Sequence, residues 1–289
     1  MVRTMTLVDF KQVESLRRPG LRDWLRSRSL DVLSLRQANL GRPRVHFLYL
    51  HHVLRDEAAN FRELLRTLSR THEFISHTSA ADKIRGGAID KPYISFSIDD
   101  GIKNCLDAAD MLDEFGAKCC FFICPSMSDN PTGEARERFC KDQISLPITD
   151  FLNWSDMEAL KKRGHEIGNH TRSHFTLSGI KSRTKLEQEI GGSRDEMVRR
   201  LGDVSHFAWP RGTFGHMSPE AKEIVFATGH KTCASAVRGA HVENATSDTE
   251  LCIRRDHILG AWPVRHSLYF IGRSAGRATA SDNNYNWNA

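Results

Sequence analysis

The chain lacks any run approaching about 18 apolar residues, so no segment of its 289 residues reads as a membrane-spanning helix. Its opening, Met1 to Asp9, lacks an apolar signal core and a small-residue cleavage site. The expected location is therefore cytoplasmic, extending to the inner face of the membrane. No two of the seven cysteines (105, 119, 120, 124, 140, 233 and 252) have Cys-x-x-Cys spacing, and an odd, irregular set gives no disulfide framework. They are expected to pack as small buried hydrophobes, which weighs against a thiolate zinc site.

What is present suits one large soluble core: 39% apolar and 27% charged residues at a length that holds a barrel-sized domain with extensions. The net charge of +5 is uneven. Residues 1–44 carry ten Arg and Lys against four Asp and Glu, which leaves the remainder close to neutral. Such an arm suits anionic lipid head groups, a phosphorylated substrate or nucleic acid, or is simply solvated. Peripheral membrane contact is the partner carried forward, and no nucleic-acid partner is expected.

Three segments follow: a basic helical extension (1–44), a barrel domain (45–271) and a flexible, Ser-, Ala- and Asn-rich tail (272–289). In the extension, Leu16, Leu21, Leu25, Leu30 and Leu33 predict short amphipathic helices packed on the body, broken at Pro19-Gly20. In the body, strands are predicted over 45–53, 93–99, 119–124, 165–169, 206–209, 230–236 and 251–258. Helices are predicted over 56–70, 104–115, from 154 to Gly164, over 181–201 with an irregularity at Gly191-Gly192, and over 219–228. Residues 126–150 read as an inserted loop or lid. About seven strand-helix units predict an α/β fold, a distorted (β/α)7-type barrel.

The run Tyr93 to Gly101 organises the rest. Ile94, Phe96 and Ile98 alternate with small hydroxyls, and the strand ends in Asp99, Asp100 and Gly101. Adjacent side chains on a strand point to opposite sides, so placing both carboxylates in one site needs a bend, which Gly101 supplies. Two carboxylates this close repel unless a cation sits between them or one takes a proton. An isolated Asp-Asp-Gly is usually a solvated turn. His170-Thr171-Arg172-Ser173-His174 adds two imidazoles that a helical turn would set on one face. Among fourteen histidines a chance pair is easy to find. Together with a strand-end carboxylate, however, the pair makes a two-nitrogen, one-oxygen set that suits a catalytic metal with open positions.

At these residues the chain resembles the polysaccharide deacetylases, the NodB-homology carbohydrate esterases, and most of all their exopolysaccharide branch. Ser97-Ile98-Asp99-Asp100-Gly101 is similar to the first motif, His170 to His174 to the second, and Phe207-Ala208-Trp209-Pro210-Arg211-Gly212 to the third. Tyr49 to Val53 is similar to that branch's first barrel strand. The likeness spans 45 to about 260. It implies that Asp100, His170 and His174 bind a divalent metal, most often zinc, and that Asp99 is the general base. It also implies that the loop Trp209, Pro210 and Arg211 binds substrate, with the Arg211 backbone N–H as an oxyanion donor.

Two departures stand out. The arginine that often opens the third motif, and orients the base, is here Ala208. Arg211 either replaces that cation in part or points to solvent. The late Leu-x-x-x-His motif that often supplies the acid is unclear; His257 is the nominee and His266 a poorer second. Trp154 is a candidate for sugar stacking, His51 or His52 for reaching substrate, and Glu166 for supporting a histidine ligand. The expected function is metal-dependent removal of acetyl groups from an N-acetylated glycan or lipid-linked sugar during glycan synthesis. A catalytically silent glycan-binding protein of the same fold, and an amidohydrolase for another small amide, remain the alternatives.

Overall fold

Alternation of period two sorts the strands of this protein into an inner and an outer face. The computed structural model describes residues 21–34, 40–129, 131, 133–245 and 250–279. Its strands are β1 (Arg44–Leu50), β2 (Glu73–Phe74), β3 (Pro92–Ile98), β4 (Cys119–Ile123), β5 (Glu166–Asn169), β6 (His206–Ala208), β7 (Thr232–Ala234), β8 (Leu251–Ile253) and β9 (Arg255–His257). All pairings are parallel, in the order β8-β7-β6-β5-β4-β3-β1-β9, with β2 added to the start of β3. The strand expected over 251–258 is interrupted at Arg254. Its first half pairs with β7 (Cys252 opposite Cys233) and its second with β1 (His257 opposite Tyr49). One run thus joins both ends of the sheet, and the parallel barrel with its surrounding helices is nearly closed.

Inside the barrel lie Val45, Phe47, Tyr93, Cys120, Phe122, Ala208, Ala234, Leu251 and Ile253. Leu48, Leu50, Ile94, Phe96, Ile98, Cys119, Phe121 and Ile123 face outward under the helices. Phe47, His77, Phe122 and His206 stack ring against ring at the amino-terminal end, with His77 centroids 4.9, 5.5 and 4.6 Å from the other three. That end is therefore plugged, and the open end is at the strand carboxyl termini. All seven cysteines are buried and free, as their composition suggested.

The helix Ala58–Ser69 buries Phe61, Leu64, Leu65 and Leu68 on the expected stripe. The helix His77–Arg85 and strand β2 were not foreseen, because His77, Thr78 and Ser79 carry no apolar period. Its start is held by Glu166, whose carboxylate accepts the backbone N–H of His77 and Thr78 at 2.7 and 3.1 Å. Glu166 is thus a helix cap at the plugged end and not a support for a histidine ligand.

At the termini the expectations need correction. The chain does not loosen at Gly272. A 14-residue helix runs from Val264 to Arg277, because Ser274 and Ala275 are buried and Ser274 Oγ donates to Asp256 at 2.7 Å. Residues 280–289 lie outside the described residues. In the extension, a helix covers Leu21–Leu33, while the stretch with Leu16 and Pro19-Gly20 lies outside them. Leu25, Val32 and Leu33 are exposed. That helix is clasped to Val264–Arg277 by Asp31, which accepts from Arg265 and His266. His266 is thereby placed outside any catalytic site. Among the described residues, no helix is long and apolar enough to cross a membrane.

Candidate active site

A cavity of about 350 Å³ opens at the strand carboxyl ends. Asp99 and Asp100 enter it from β3, His170 and His174 from the loop after β5, Trp209 and Arg211 from β6, and His257 from β9. The bend that brings both carboxylates in is made at Asp100 itself, with φ 73°, followed by Gly101 at φ 70°. The two histidines are not on a helical turn as expected. A tight loop with Thr171 at φ 62° and His174 at φ 60° folds them together, and the Thr171 hydroxyl accepts the His174 backbone N–H at 3.0 Å. The five non-glycine residues with positive φ among the described residues are Asp100, Ser145, Thr171, His174 and Arg211. Four line the cavity and Thr171 adjoins His170. Such conformations cost about 1–3 kcal/mol each and persist only where the surroundings impose them.

Asp100 Oδ1 is buried, accepts no hydrogen bond, and lies 3.2 Å from His174 Nε2 and 3.4 Å from His170 Nε2. His170 Nδ1–H donates to the Ala208 carbonyl at 2.7 Å, which fixes the tautomer and leaves the Nε2 lone pair facing Asp100. These three are a group of buried donors whose ligand atoms all lie within 4.8 Å. A tetrahedral cation about 2.0–2.2 Å from each donor holds its donors about 3.3–3.6 Å apart, so the set fits a divalent metal. Burial alone would raise the Asp100 carboxyl, but His174 and His170 hold it well below the usual carboxylate range. Burial lowers His170, yet Asp100 and Asp99 overcome that and raise it. The cluster therefore calls for positive charge, whether a proton or a metal.

Asp99 has a partner that the sequence reading missed. Arg255 Nη1 and Nη2 donate to its Oδ1 and Oδ2 at 2.7 and 2.8 Å, and Nη1 also donates to Ser97 Oγ at 3.0 Å. Burial pushes the Asp99 carboxyl up, but Arg255 and His170 more than offset this and hold it below its ordinary value. Each oxygen has acceptor capacity beyond its bond from Arg255, and Asp99 lines the cavity. The cation absent at Ala208 is thus supplied from the opposite end of the sheet, and by Arg255, not Arg211. The Arg211 guanidinium is exposed and donates Nε–H to Thr176 Oγ1 at 3.2 Å. The signal for Arg255 was present: counting by two, Leu251, Ile253, Arg255 and His257 share the inner face.

His257, the nominated acid, lines the cavity, with Tyr49 4.8 Å and His51 5.1 Å away between ring centroids. Its Nε2 has no hydrogen-bond partner. Burial, with His51 and Arg238 nearby, pushes it well below the usual imidazole range, so the free site holds it neutral. His51 and His52 both line the cavity, and His52 Nδ1 is 3.4 Å from Glu57. Trp209 reaches the wall but is 1% exposed, with Nε1–H donated to Thr213, so it offers an edge and not a stacking face. Pro210 is buried behind it. Trp154 is elsewhere, donating to Asp129 with Arg200 over its ring. Residues Gln143 to Leu146, from the expected lid, close one side.

A nearly closed parallel barrel with an Asp-His-His cradle and an arginine-held aspartate at its open end defines the class of protein. The polysaccharide deacetylase family model matches residues 86–232, and the chain belongs to that family. No curated protein matches it by sequence. Among solved structures, the Streptococcus pyogenes deacetylase PplD in complex with acetate matches at 16% identity and TM-score 0.63, over 79% of this chain and 98% of that one. IcaB from Ammonifex degensii matches at 18% identity and TM-score 0.62, over 81% and 97%. The deacetylase domain of BpsB from Bordetella bronchiseptica matches at 16% identity and TM-score 0.59, over 78% and 98%. At these identities the likeness establishes the shared fold.

Proposed function

We propose that this chain is a metal-dependent N-deacetylase acting on an N-acetylated glycan or lipid-linked sugar in glycan biosynthesis, in the manner of the exopolysaccharide branch. The observation that carries the reading is the pairing of a buried, orphaned Asp100 oxygen between two imidazoles with a neighbouring carboxylate held ionised by Arg255. Asp100, His170 and His174 would hold the metal, zinc by family resemblance. When bound it supplies a Lewis acid for the acetamide carbonyl and acidifies water. Asp99, kept charged and aimed by Arg255, accepts the proton of the attacking water on its free lone pair. The Arg211 backbone N–H is a donor for the oxyanion. His257, neutral in the free site, gives a proton from Nε2 to the departing amine once it has gained the one that Asp99 removed.

The acetate bound in the PplD structure is the product such a reaction releases. Arg255 also weakens the reading as a silent glycan-binding protein, since the missing arginine at Ala208 was one of its two supports, the unclear acid motif being the other. The basic arm and the inner membrane face remain part of the proposal, as the place where a lipid-linked substrate is met. The test is acetate release from a panel of N-acetylated sugars and lipid-linked intermediates, alongside metal analysis. Asp99→Asn is expected to keep one equivalent of metal and lose release; Asp100→Ala and His170→Ala are expected to lose the metal. Metal-loaded protein that binds glycans from the panel yet frees no acetate would falsify the hydrolase reading.

A further inference from the structure

We propose a second ligand site on this protein, for a diphosphate group, in the arginine-lined cavity on the outside of the barrel where the run 251–257 is interrupted. The cavity holds about 320 Å³ and is lined by four arginines, Arg238, Arg254, Arg273 and Arg277. The period-two alternation that sends Arg255 inward turns Arg254 and Asp256 outward, beneath the helix Val264–Arg277. Arg273 and Arg277 project from that helix four residues apart, a spacing at which like charges repel. Neither forms an ion pair among the described residues. Nor are they consumed as caps: Arg42 already donates to the carbonyls of Ala275 and Ala278 at that helix end, at 2.8 and 3.4 Å.

The floor of the cavity is built, not merely exposed. Arg238 stacks on Phe270, 4.3 Å from the ring centroid, and its Nη2 donates to the His257 carbonyl at 2.9 Å. The Arg254 stem crosses Gly239 so closely that a Cβ there would sit 2.6 Å from Cδ. Asp256 is a carboxylate beneath the cluster, and it is already engaged. Its oxygens accept Gly239 N–H at 3.1 Å and Ser274 Oγ at 2.7 Å, and lie 3.3 Å from His46 and 3.5 Å from Arg238. Arg273 and Arg277, which form no ion pair among the described residues, bring two uncompensated guanidiniums to the cavity. Guanidinium forks match tetrahedral oxyanions two bonds at a time. The volume is that of roughly ten waters, more than an orthophosphate fills and enough for a diphosphate with part of its hydration. Arg238, which an occupant would contact, is hydrogen-bonded to the carbonyl of His257, whose ring lines the other cavity.

The site is independent of the metal cradle, so the two can be tested apart. Inorganic pyrophosphate is titrated by calorimetry into the metal-loaded full chain, into Asp100→Asn, and into the double variant Arg273→Gln/Arg277→Gln, at constant ionic strength set with chloride. Both arginines are exposed, and unchanged urea midpoints show that the double variant folds. Binding that persists in Asp100→Asn and weakens at least tenfold in the arginine variant is the expected result. Binding lost in Asp100→Asn but kept in the arginine variant would place pyrophosphate on the metal and overturn the proposal. So would the absence of heat beyond the chloride control. A nucleoside diphosphate and a short prenyl diphosphate, added as competitors, identify the source: displacement by either supports the site, and displacement by neither sinks it as a binder of diphosphate esters.

Discussion

Arg255 and Asp99 are both almost fully buried, and neither is tolerable without the other. Two charges taken out of water roughly break even when doubly hydrogen-bonded, whereas deleting one partner strands the other at a cost of about 3–5 kcal/mol. Arg255→Met should lower the free energy of urea unfolding by about that amount. Arg255→Met/Asp99→Leu should recover most of the loss, while neither variant releases acetate. Equal destabilisation by the single and double changes would show that the pair is not coupled. Gly212 gives a second prediction at this scale. It has φ 61°, and an added Cβ would meet Ala236 Cβ at 2.3 Å and its backbone nitrogen at 2.5 Å. Gly212→Ala should cost about 1–3 kcal/mol from crowding alone, and should disturb the Trp209–Arg211 loop enough to depress activity. Gly116→Ala, at φ 66° with nothing within 4 Å, is the control that isolates backbone strain. Similar midpoints for the two variants would remove the packing argument.

The helix expected over 181–201 shows how an element can serve a site it does not enter. It runs as Arg183–Glu187, a π-turn at Gln188–Gly192, and Ser193–Leu201. The turn aims backbone acceptors at the histidine loop: Glu189 O takes Arg172 N–H at 2.9 Å and Ile190 O takes Asn169 Nδ2 at 2.9 Å. The buried Glu189 carboxylate accepts Ser173 N–H at 2.9 Å. Removing one residue, Gly192, would convert the π-turn to regular helix and turn these acceptors away. Zinc affinity, read by competition with a chromogenic chelator, should fall at least tenfold, while circular dichroism keeps the helical signal. Undiminished affinity would mean the turn does not hold the loop. The Gly191-Gly192 pair was legible in the sequence as an irregularity, because two glycines weaken a helix. Its purpose was not, because the aim of a carbonyl depends on what the helix packs against. The same limit hid Arg255, 156 residues from Asp99. The candidate donors Asp100, His170 and His174 could be nominated because each lies in a short motif of narrow chemistry, Asp99-Asp100-Gly101 and His170 to His174, and the strand-helix alternation was legible because it repeats.

At the scale of the whole molecule, stability should depend on histidines that must remain neutral. His72 Nε2 accepts from Arg44 at 2.7 Å, His165 Nδ1 from the Cys119 backbone N–H at 3.2 Å, and His230 Nε2 from Asn169 at 3.2 Å. In each ring the nitrogen that would take a second proton is already an acceptor. Burial, reinforced by adjacent cations, depresses His72 and His230 to about 3 and His165 to about 4, from an ordinary 6.5. A folded-state value below the unfolded one means that the unfolded chain binds the extra proton first. The contribution is complete above pH 6.5 and is lost as pH falls toward the depressed values. At pH 5 each ring costs about 2 kcal/mol, from 1.36 kcal/mol per unit over about 1.5 units. Together they remove about 6 kcal/mol, a large share of the roughly 5–15 kcal/mol of a typical domain. The Asp99 and Asp100 carboxyls, held below their ordinary 3.8, act only in a lower window. Urea unfolding of chelator-treated protein at pH 7.5 and pH 5 should show the loss. His165→Gln can accept the Cys119 N–H through its amide oxygen without titrating, and should show about 2 kcal/mol less of it. If the variant and the parent chain lose the same stability between those two pH values, the ring at 165 is protonated without penalty, and the neutral-core account of acid sensitivity fails.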